Sequence, residues 1–551
     1  MNPATSGNRA SGWASVDKVT FGVAGGLIVA LCVLGMVFTE TLTGVSAAAL
    51  TWMTGSFSWL FVLSASGFVI FALVLAFGKY GSIPLSQEGE EPEFATATWV
   101  AMMFAAGMAI GLVFFGVFEP ISHYTEPPPF GNVEAETPDA AGNAMAYTFF
   151  HYGVHPWAIY SVVGLALAYS THRMGRANLI SAPFEALIPH LIKRGWGKVV
   201  DIFAIIATQF GLATSLGFGA LQIAAGLALL QTGEFEDEPG VVAPILVICA
   251  LTFLAVVSAA TGITRGIKWL SNINMVIAAI LLVFVFVVGP SIFILDLLPT
   301  AIGSYFSEII SMSSNSGLFG GTEWLASFTI FYWAWWISWA PYVGTFIAKI
   351  SRGRTIREFV GGALLTPTAV GMVWFTVFGG TGISLQDSGV DVAGTGDEAA
   401  AFFVALEQLP LSTVAVIVTI ILVAIFFVTG ADSGAVVMGT FATGGSERPW
   451  KPLVVFWAVA SGAVAAMLML VGGLDALQTF AILAAAPFVL IMIGLCVAMY
   501  VDLRQDPLRK RPREPVRGAT HTASAVPFSD EAEETSDVDE AHSIRPNNGS
   551  E

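Results

Sequence analysis

Long apolar runs are the feature that most limits what this chain can fold into. Runs long enough to cross about 30 Å of hydrocarbon recur over residues 18–502. A hydrophobic fraction of 55% with only 11% charged residues is typical of a polytopic membrane protein rather than a soluble enzyme. We therefore predict an all-α protein with twelve transmembrane helices. They begin near Lys18, Thr54, Ala95, Asn143, Lys198, Val241, Leu270, Trp324, Arg357, Leu411, Trp450 and Ala476.

The distribution of basic residues predicts how these helices are oriented. If the N-terminus is cytoplasmic, the outward loops contain no Lys or Arg, and all 23 basic residues fall on the inward side. Cytoplasmic loops of membrane proteins carry this excess of positive charge. We therefore predict a multi-pass protein of the plasma (inner) membrane with both termini cytoplasmic. The outward loops are residues 39–55, 119–142, 231–240, 296–323, 380–410 and 472–474.

The order of apolar and polar segments divides the chain into six parts. The tail starts basic, turns acidic and lacks apolar periodicity, so we expect it to be largely disordered, with its basic start near lipid headgroups or simply marking topology. A net charge of -17 gives no reason to expect a nucleic-acid partner. The parts are a cytoplasmic segment (1–17), two leading helices with their loop (18–94), a first five-helix group (95–296), an outer amphipathic helix (297–323), a second five-helix group (324–502) and the tail (503–551).

Four tryptophans crowd into seven residues of the eighth apolar run, at Trp333, Trp335, Trp336 and Trp339. An α-helix advances by about 100° per residue, so these rings cover a wider arc than packing against one neighbour needs. Aromatic faces attract quaternary ammonium groups by about 2 kcal/mol or more per desolvated contact. The pattern therefore favours a ligand site, with an interfacial aromatic belt or plain core packing as the alternative.

The fourth run adds a second aromatic cluster, in which Trp157 and Tyr160 are three apart and share a helix face. Two such clusters on different helices can enclose a methylated cation. His151 and His155 have the four-residue spacing of two metal ligands on a helix, but no Cys, Asp or Glu nearby in the sequence completes a coordination shell. We therefore predict no metal site and two core histidines.

Small and hydroxyl residues in three other runs are candidates for backbone or ion contacts. The stretch 106–111 is rich in Gly and Ala, which favours either a break near a ligand or close helix packing. Thr429 in the tenth run is a candidate ion ligand. Asp432 lies close by, at a depth where placing a charge costs several kcal/mol of free energy. Thr208 in the fifth run is a further candidate, although Thr also bonds back to its own helix.

Four sequence stretches are characteristic: FYWAWWISWAPYVGTFIAKISRGRTIREF, FHYGVHPWAIY, GMAIG and PEFATATW. Together they resemble the betaine/carnitine/choline transporter family across residues 18–502. The resemblance implies a LeuT-type fold, in which two extra helices precede an inverted repeat of five plus five helices. It also implies alternating access and often a homotrimer.

The resemblance further implies the residues that contact the substrate. Tyr152 stands where similar glycine betaine carriers have Trp, and Gly111 stands where choline carriers often have an acidic residue. Without that counter-charge the site suits a zwitterion, so glycine betaine is favoured, and choline, carnitine, ectoine and dimethylsulfoniopropionate remain open. The implied substrate-binding residues are Trp157, Tyr160, Trp336, Trp335, Trp339 and Tyr152 around the ammonium group, Phe114 along the pathway, and Met108, Ala109 and Gly111 near the carboxylate.

The ion sites that the resemblance implies are incomplete in this chain. Gly430 and Leu212 supply no side-chain oxygen where sodium-driven members have hydroxyl residues. Na⁺ remains a candidate coupling ion, with proton coupling or sodium-independent exchange as the alternatives, and we expect no other cofactor. The implied ion-binding positions are Ala105, Met108, Phe426, Thr429 and Thr208.

Two other functional classes fit the sequence less well. A channel needs a continuous polar path, and these runs hold only isolated polar residues. An enzyme needs a convergent nucleophile, metal or acid–base set, which His151, His155 and Asp432 do not form. We therefore predict a secondary active transporter that imports a quaternary-ammonium zwitterion by cation-coupled symport.

Overall fold

The structure, a computed structural model, describes residues 12–107, 110–233, 240–261, 264–318, 320–394 and 398–510. In this part of the chain the regular structure is helical, apart from an isolated β-bridge between Pro84 and Thr355. The α-helices are α1 (Lys18–Val37), α2 (Thr39–Phe77), α3 (Thr96–Gly107), α4 (Ile110–Thr125), α5 (Pro138–Tyr152), α6 (Val154–Ala168), α7 (Pro189–Leu191), α8 (Gly197–Thr232), α9 (Val242–Thr261), α10 (Thr264–Val288), α11 (Ser291–Ser314), α12 (Thr322–Leu325), α13 (Phe331–Ile350), α14 (Ile356–Asp387), α15 (Ala401–Glu407), α16 (Ser412–Phe441) and α17 (Lys451–Gln505). Short 3-10 or π segments cover Gly12–Ser15, Tyr169–Arg173, Ala182–Ala186, Ile192–Trp196, Ala326–Ile330 and Pro507–Lys510.

The predicted fold class, an all-α membrane protein, is confirmed. Among the described residues, nine helical stretches are long and apolar enough to cross a membrane. A helix lies where the amphipathic segment is predicted, since α11 overlaps residues 297–323. Its position on the outer face, the total of twelve spans and the inverted repeat stay predictions.

The fourth predicted span is interrupted: it is divided at Gly153 into α5 and α6, and an added Cβ there would lie 2.4 Å from the carbonyl oxygen of Phe149. In the third predicted span, α3 ends at Gly107 and α4 begins at Ile110, and residues 108 and 109 lie outside the described part of the chain. The break at Gly153 places the end of α5 and the start of α6 side by side near the candidate site. Helix α17 is interrupted at Gly472 and Gly473, and the positive φ of 59° at Gly473 favours glycine there. This turn coincides with the predicted boundary between the last two spans.

The outward loop predicted at residues 39–55 is wrong, because α2 already begins at Thr39. The hydroxyl groups of Thr43, Thr51 and Thr54 each donate a hydrogen bond to the carbonyl oxygen four residues earlier in the same helix. A hydroxyl that is satisfied in this way needs no water. The polar residues in this stretch therefore do not mark a loop.

The predicted start of the next outward loop, at Glu119, is also wrong, because α4 continues to Thr125. The Glu119 side chain is fully buried and lies in hydrogen-bond contact with His151. A carboxyl group that finds a partner inside the protein does not need to reach water. The sequence prediction had treated this charge as a sign of solvent.

Two glycines bring the aromatic helices α6 and α13 into backbone contact. A Cβ at Gly344 would lie 2.6 Å from the Cβ of Val163, and one at Gly164 would lie 2.7 Å from the Ile347 side chain. Membrane helices approach closely where such small residues face each other. This contact fixes the distance between the two helices that carry the candidate site.

Candidate functional site

Burial separates the four tryptophans of α13 into two groups. Trp333 and Trp335 are 1% and 0% exposed, whereas Trp336 and Trp339 each keep 7% of their surface. Trp333 packs against the imidazole of His155, with ring centroids 5.2 Å apart and the planes 22° from parallel. Trp333 is therefore a core residue, and the remaining surface of this helix face belongs to Trp336 and Trp339.

Hydrogen bonds fix the orientation of three indole rings. The Nε1–H of Trp336 donates to the carbonyl oxygen of His151 on α5 over 2.9 Å. The Nε1–H groups of Trp335 and Trp339 donate to α8, at Ser215 Oγ (3.2 Å) and the Gly211 carbonyl oxygen (2.7 Å). With each polar edge held, the flat faces remain for aromatic or cationic contacts.

Trp336 is the centre of an aromatic cage formed with Tyr152, Trp157 and Tyr160. Its ring centroid lies 5.4 Å from Tyr152 and 6.3 Å from Tyr160, and both rings approach edge-on. Trp157 lies 5.5 Å from Tyr160 at an interplanar angle of 81°. The side chains come from α5, α6 and α13, so the structure brings together four of the residues that the sequence predicts for the ammonium group.

Trp335 supports this cage from behind. It stacks on Trp336 with centroids 4.6 Å apart and the planes 16° from parallel. Its other neighbours include Phe331 and Phe218, and its ring also covers Gly111, where an added Cβ would lie 2.5 Å from Cη2 of the indole. The position that the family resemblance associates with an acidic counter-charge thus has no room for a side chain.

The remaining predicted substrate residues have different surroundings. Phe114 is fully buried and stacks on Phe218 with centroids 4.9 Å apart. Trp339 faces Tyr342 edge-on at 5.4 Å. Met108 and Ala109 lie outside the described residues. Their predicted roles, like those of the cage residues, stay predictions.

The predicted ion positions lie on α3, α8 and α16. The hydroxyl groups of Thr208 and Thr429 each donate over 2.8 Å to a carbonyl oxygen of their own helix, those of Ala204 and Ile425. Each hydroxyl group has therefore used its hydrogen atom, and its oxygen lone pairs remain available to coordinate a cation. Ala105 belongs to the last turn of α3 and Phe426 to a buried part of α16, while the predicted ligand Met108 is outside the described residues.

Leu212 fills the space between α8 and α16. An added Cβ at Gly434 would lie 2.6 Å from Leu212 Cδ2, and an added Cβ at Gly430 would lie 4.0 Å from Leu212 Cδ1. An apolar branched side chain therefore packs against the two glycines on this face of α16. At this predicted ion position, where the sequence has Leu212 in place of a hydroxyl residue, the structure therefore has a hydrocarbon side chain.

A buried polar cluster next to the cage was missed by the sequence prediction. Nδ1 of His151 lies 2.6 Å from Oε1 of Glu119, and Nε2 of His151 lies 2.9 Å from the Thr329 hydroxyl. Nε2 of His123 lies 3.5 Å from the same Glu119 oxygen. The partner of His151 is thus a carboxylate on α4 and not His155, which contacts the Ser313 hydroxyl at 3.1 Å. The four-residue spacing of Glu119 and His123 was the available signal.

Two acidic residues near the end of α17 pair with arginines that follow α6. Arg173 donates to both Asp506 oxygens, over 2.5 and 2.9 Å, and Tyr169 donates to Oδ2 over 2.6 Å. Burial opposes ionisation of Asp506, but the hydrogen bonds from Arg173 and Tyr169 outweigh it and hold the pKa of this carboxyl below its ordinary value. A parallel pair joins Arg176 to Asp502. These bonds attach the end of α17 to the end of α6.

Comparison with known proteins agrees with the resemblance seen in the motifs. The model of the BCCT, betaine/carnitine/choline family transporter, matches residues 19–508. A glycine betaine transporter of Bacillus subtilis is 42% identical over 86% of this chain and 91% of its own length. A betaine/ectoine transporter of Corynebacterium glutamicum is 39% identical (90% and 79%), and a glycine betaine transporter of Vibrio parahaemolyticus is 41% identical (89% and 94%).

Proposed function

The chain belongs to the betaine/carnitine/choline transporter family, and on that premise we propose that it imports glycine betaine by cation-coupled symport with alternating access. The family is one of membrane transporters and not of enzymes, and the chain is an integral membrane protein. The proposal adds the substrate, the direction of transport and the use of a coupling ion.

The aromatic cage is the observation that carries the proposal. Trp157, Tyr160 and Trp336 come from two separate helices, are 3–7% exposed and converge with Tyr152 within ring-contact distance. A trimethylammonium group carries a diffuse positive charge on apolar methyls, which suits aromatic faces better than a hydrogen-bonding site. Two or three such contacts at about 2 kcal/mol each supply about 4–6 kcal/mol, so burial of the methyl groups and contacts to the carboxylate have to offset most of the cost of association.

The lack of space at Gly111 supports a zwitterionic substrate over choline. Trp335 covers this position, so the cage has no acidic side chain there to neutralise a bare cation. A substrate with its own carboxylate brings that counter-charge with it. Ectoine is the second candidate, because the Corynebacterium relative is named as a betaine/ectoine transporter.

Sodium is the coupling ion that we propose first, with Thr429 and Thr208 as side-chain ligands and carbonyl groups at Ala105, Met108 and Phe426. Leu212 weakens this assignment at the Thr208 position, because it brings hydrocarbon where an oxygen is needed. Proton coupling and sodium-independent exchange of substrates therefore remain the alternatives. By the positive-inside rule we place both termini in the cytoplasm, and the family resemblance implies a homotrimer in the plasma membrane.

Uptake into proteoliposomes tests the proposal. Vesicles receive radiolabelled glycine betaine under an inward sodium gradient, an inward proton gradient or neither, with unlabelled choline, carnitine and ectoine as competitors. We expect uphill accumulation of unchanged glycine betaine that needs the sodium gradient. Accumulation that never exceeds equilibrium would indicate a channel, and stronger competition by choline than by glycine betaine would contradict the assigned substrate.

A further inference from the structure

A cluster of ionisable side chains lies beside the cage and has no part in the proposed sodium sites. It consists of Glu119 and His123 on α4 and His151 on α5, and all three side chains have no exposed surface. Their nearest ligand-type atoms lie within 4.8 Å of one another. We propose that this cluster binds one exchangeable proton, and that glycine betaine in the cage and this proton oppose each other's binding. The inference rests on the proposed function for its ligand.

The hydrogen-bond inventory of the cluster points to a proton. The 2.6 Å contact between Glu119 Oε1 and His151 Nδ1 holds one hydrogen atom. If His151 is neutral and Glu119 ionised, the cluster carries a full negative charge at membrane depth, where an unpaired charge costs several kcal/mol. One further proton on the carboxyl or the imidazole makes the cluster neutral. In the described part of the chain, the basic side chains that contact Glu119 are the two histidines, each of which is charged only when protonated.

Unsatisfied atoms show where the further proton can reside. Both ring nitrogens of His123 lack a hydrogen-bond partner among the described residues, and Glu119 Oε2 has none of ordinary geometry. The Tyr332 hydroxyl lies close enough to Glu119 and to Tyr152 for a hydrogen bond to either, so it can donate to the ionised carboxylate and accept from the protonated one. Fully buried polar atoms without partners are rare in proteins, so a site that contains several of them is suited to gain and lose a proton.

The distances favour a proton over a metal ion. Two ligands of a tetrahedral zinc ion, each about 2.0–2.1 Å from the metal, lie about 3.3 Å apart. The His123–Glu119 separation of 3.5 Å would allow this, but the His151–Glu119 separation of 2.6 Å is that of a direct hydrogen bond.

Two contacts link the cluster to the cage. The carbonyl oxygen of His151 accepts the hydrogen bond of the Trp336 indole. The His151 ring also stacks on Tyr332 at 4.8 Å, and Tyr332 in turn stacks on Trp336 at 6.1 Å. A cation on the Trp336 face therefore lies on the order of 10 Å from Glu119, where a unit charge changes affinity by about tenfold at an effective dielectric constant of 20.

The sign of the coupling follows from charge. With the proton released, Glu119 is negative and stabilises the ammonium group, and with the proton bound this attraction is lost. The other titratable groups around the cluster are neutral tyrosines and a histidine, with acidic residues further out. They are Tyr147 and Tyr152 of α5, His155 of α6 and Tyr332 of α13, with Glu308 of α11 near Tyr147 and Asp387 of α14 near Tyr124.

Calorimetry on the purified full-length carrier tests the coupling. Glycine betaine is titrated between pH 5 and 9 in buffers of different ionisation enthalpy, which gives both the Kd and the number of protons released. We expect release of up to one proton in part of this range and a Kd that rises toward low pH by at most about tenfold, because the carboxylate of glycine betaine offsets part of the attraction between Glu119 and the ammonium group. Glu119→Gln keeps the side-chain size, and we expect it to bind with the weaker, low-pH affinity at every pH. His155→Gln, a buried histidine outside the cluster, should keep the wild-type pH dependence.

Three results would overturn the inference. They are wild-type binding that is independent of pH, a pH dependence that survives in Glu119→Gln, and heat of zinc binding that calorimetry detects in the wild type but not in Glu119→Gln, which would show a metal site. Infrared difference spectroscopy of wild type against Glu119→Gln provides a test without substrate, because a protonated carboxyl has its own carbonyl band. A band that titrates and is absent from the variant supports the proton site, and its absence at every pH refutes it. Failure of every zwitterion to bind would instead refute the proposed function and, with it, the coupling.

Discussion

Replacing Trp336 with Leu or Phe is the most direct test of the aromatic cage. The indole is the ring that both Tyr152 and Tyr160 contact, and its N–H anchors it to α5. Leu keeps part of the apolar volume but removes the aromatic face and the N–H. Loss of one desolvated cation–π contact of about 2 kcal/mol together with the N–H bond of about 1 kcal/mol corresponds to a rise of about 100-fold in the Kd for glycine betaine.

The Phe variant separates the aromatic face from the hydrogen bond. It keeps a smaller ring but loses the bond to the His151 carbonyl, whose net contribution is about 1 kcal/mol. We therefore expect a Kd increase of about fivefold for Trp336→Phe, between wild type and Trp336→Leu. Isothermal titration calorimetry on the purified carrier measures these differences, and KM from uptake should follow them.

Trp269→Leu is the matched control, because this tryptophan is 70% exposed on α10. It changes the same chemical group with no contact to the cage, so we expect a wild-type Kd. Equal elution profiles in size-exclusion chromatography would show that all three variants fold. A Kd for Trp336→Leu within threefold of wild type, or equal losses in the Leu and Phe variants, would refute the role assigned to this ring.

Three further substitutions test the surroundings of the site. Gly111→Ala places a Cβ 2.5 Å from an indole ring, so we expect overpacking that destabilises the fold by about 1–3 kcal/mol. The melting temperature should fall and glycine betaine should bind more weakly. Gly22→Ala is the control: its Cβ would have open space around it, and we expect it to behave as wild type. Leu212→Thr adds the missing oxygen, and we expect the sodium concentration for half-maximal uptake to fall about tenfold, an effect that an unchanged sodium dependence would exclude. Asp506→Asn should lower the melting temperature at pH 7, because it removes a carboxylate that Arg173 and Tyr169 stabilise. These bonds hold the Asp506 pKa low, so the stabilisation that the ionised carboxylate provides is complete above the ordinary carboxyl pKa and is lost as the pH falls through the lowered pKa. The difference in melting temperature between the variant and wild type should therefore vanish in acid.

The sequence predicted those parts of the site that depend on spacing within one helix. Trp157 and Tyr160 share a face because they are three residues apart, and the crowding of tryptophans in α13 is visible without any structure. The sequence did not separate Trp335 from Trp336, because adjacent residues of one helix differ in burial only through their neighbours on other helices. Gly111 against Trp335 is such a neighbour.

The cluster of Glu119 shows why the rest could not be predicted. Its partner His151 is 32 residues away on another helix, and the loop between α4 and α5 sets where that helix lies. A charged residue near the end of an apolar run suggests water when it is considered alone. The same ambiguity led to the prediction of a loop at residues 39–55, where the hydroxyl groups are satisfied within α2.

The anchors of the three cage-side indoles connect substrate binding to helix movement. Trp336 is held by α5, whereas Trp335 and Trp339 are held by α8, although all three belong to α13. A movement that separates α13 from α8 breaks two hydrogen bonds with a net contribution of about 1 kcal/mol each. That cost is of the same order as one cation–π contact of about 2 kcal/mol. A ligand shifts a conformational equilibrium only by its differential affinity for the two states. Because the cage rings belong to α5, α6 and α13, a bound ammonium group favours the state in which α13 lies against α5 and α6, and its contribution is comparable to the cost of separating α13 from α8.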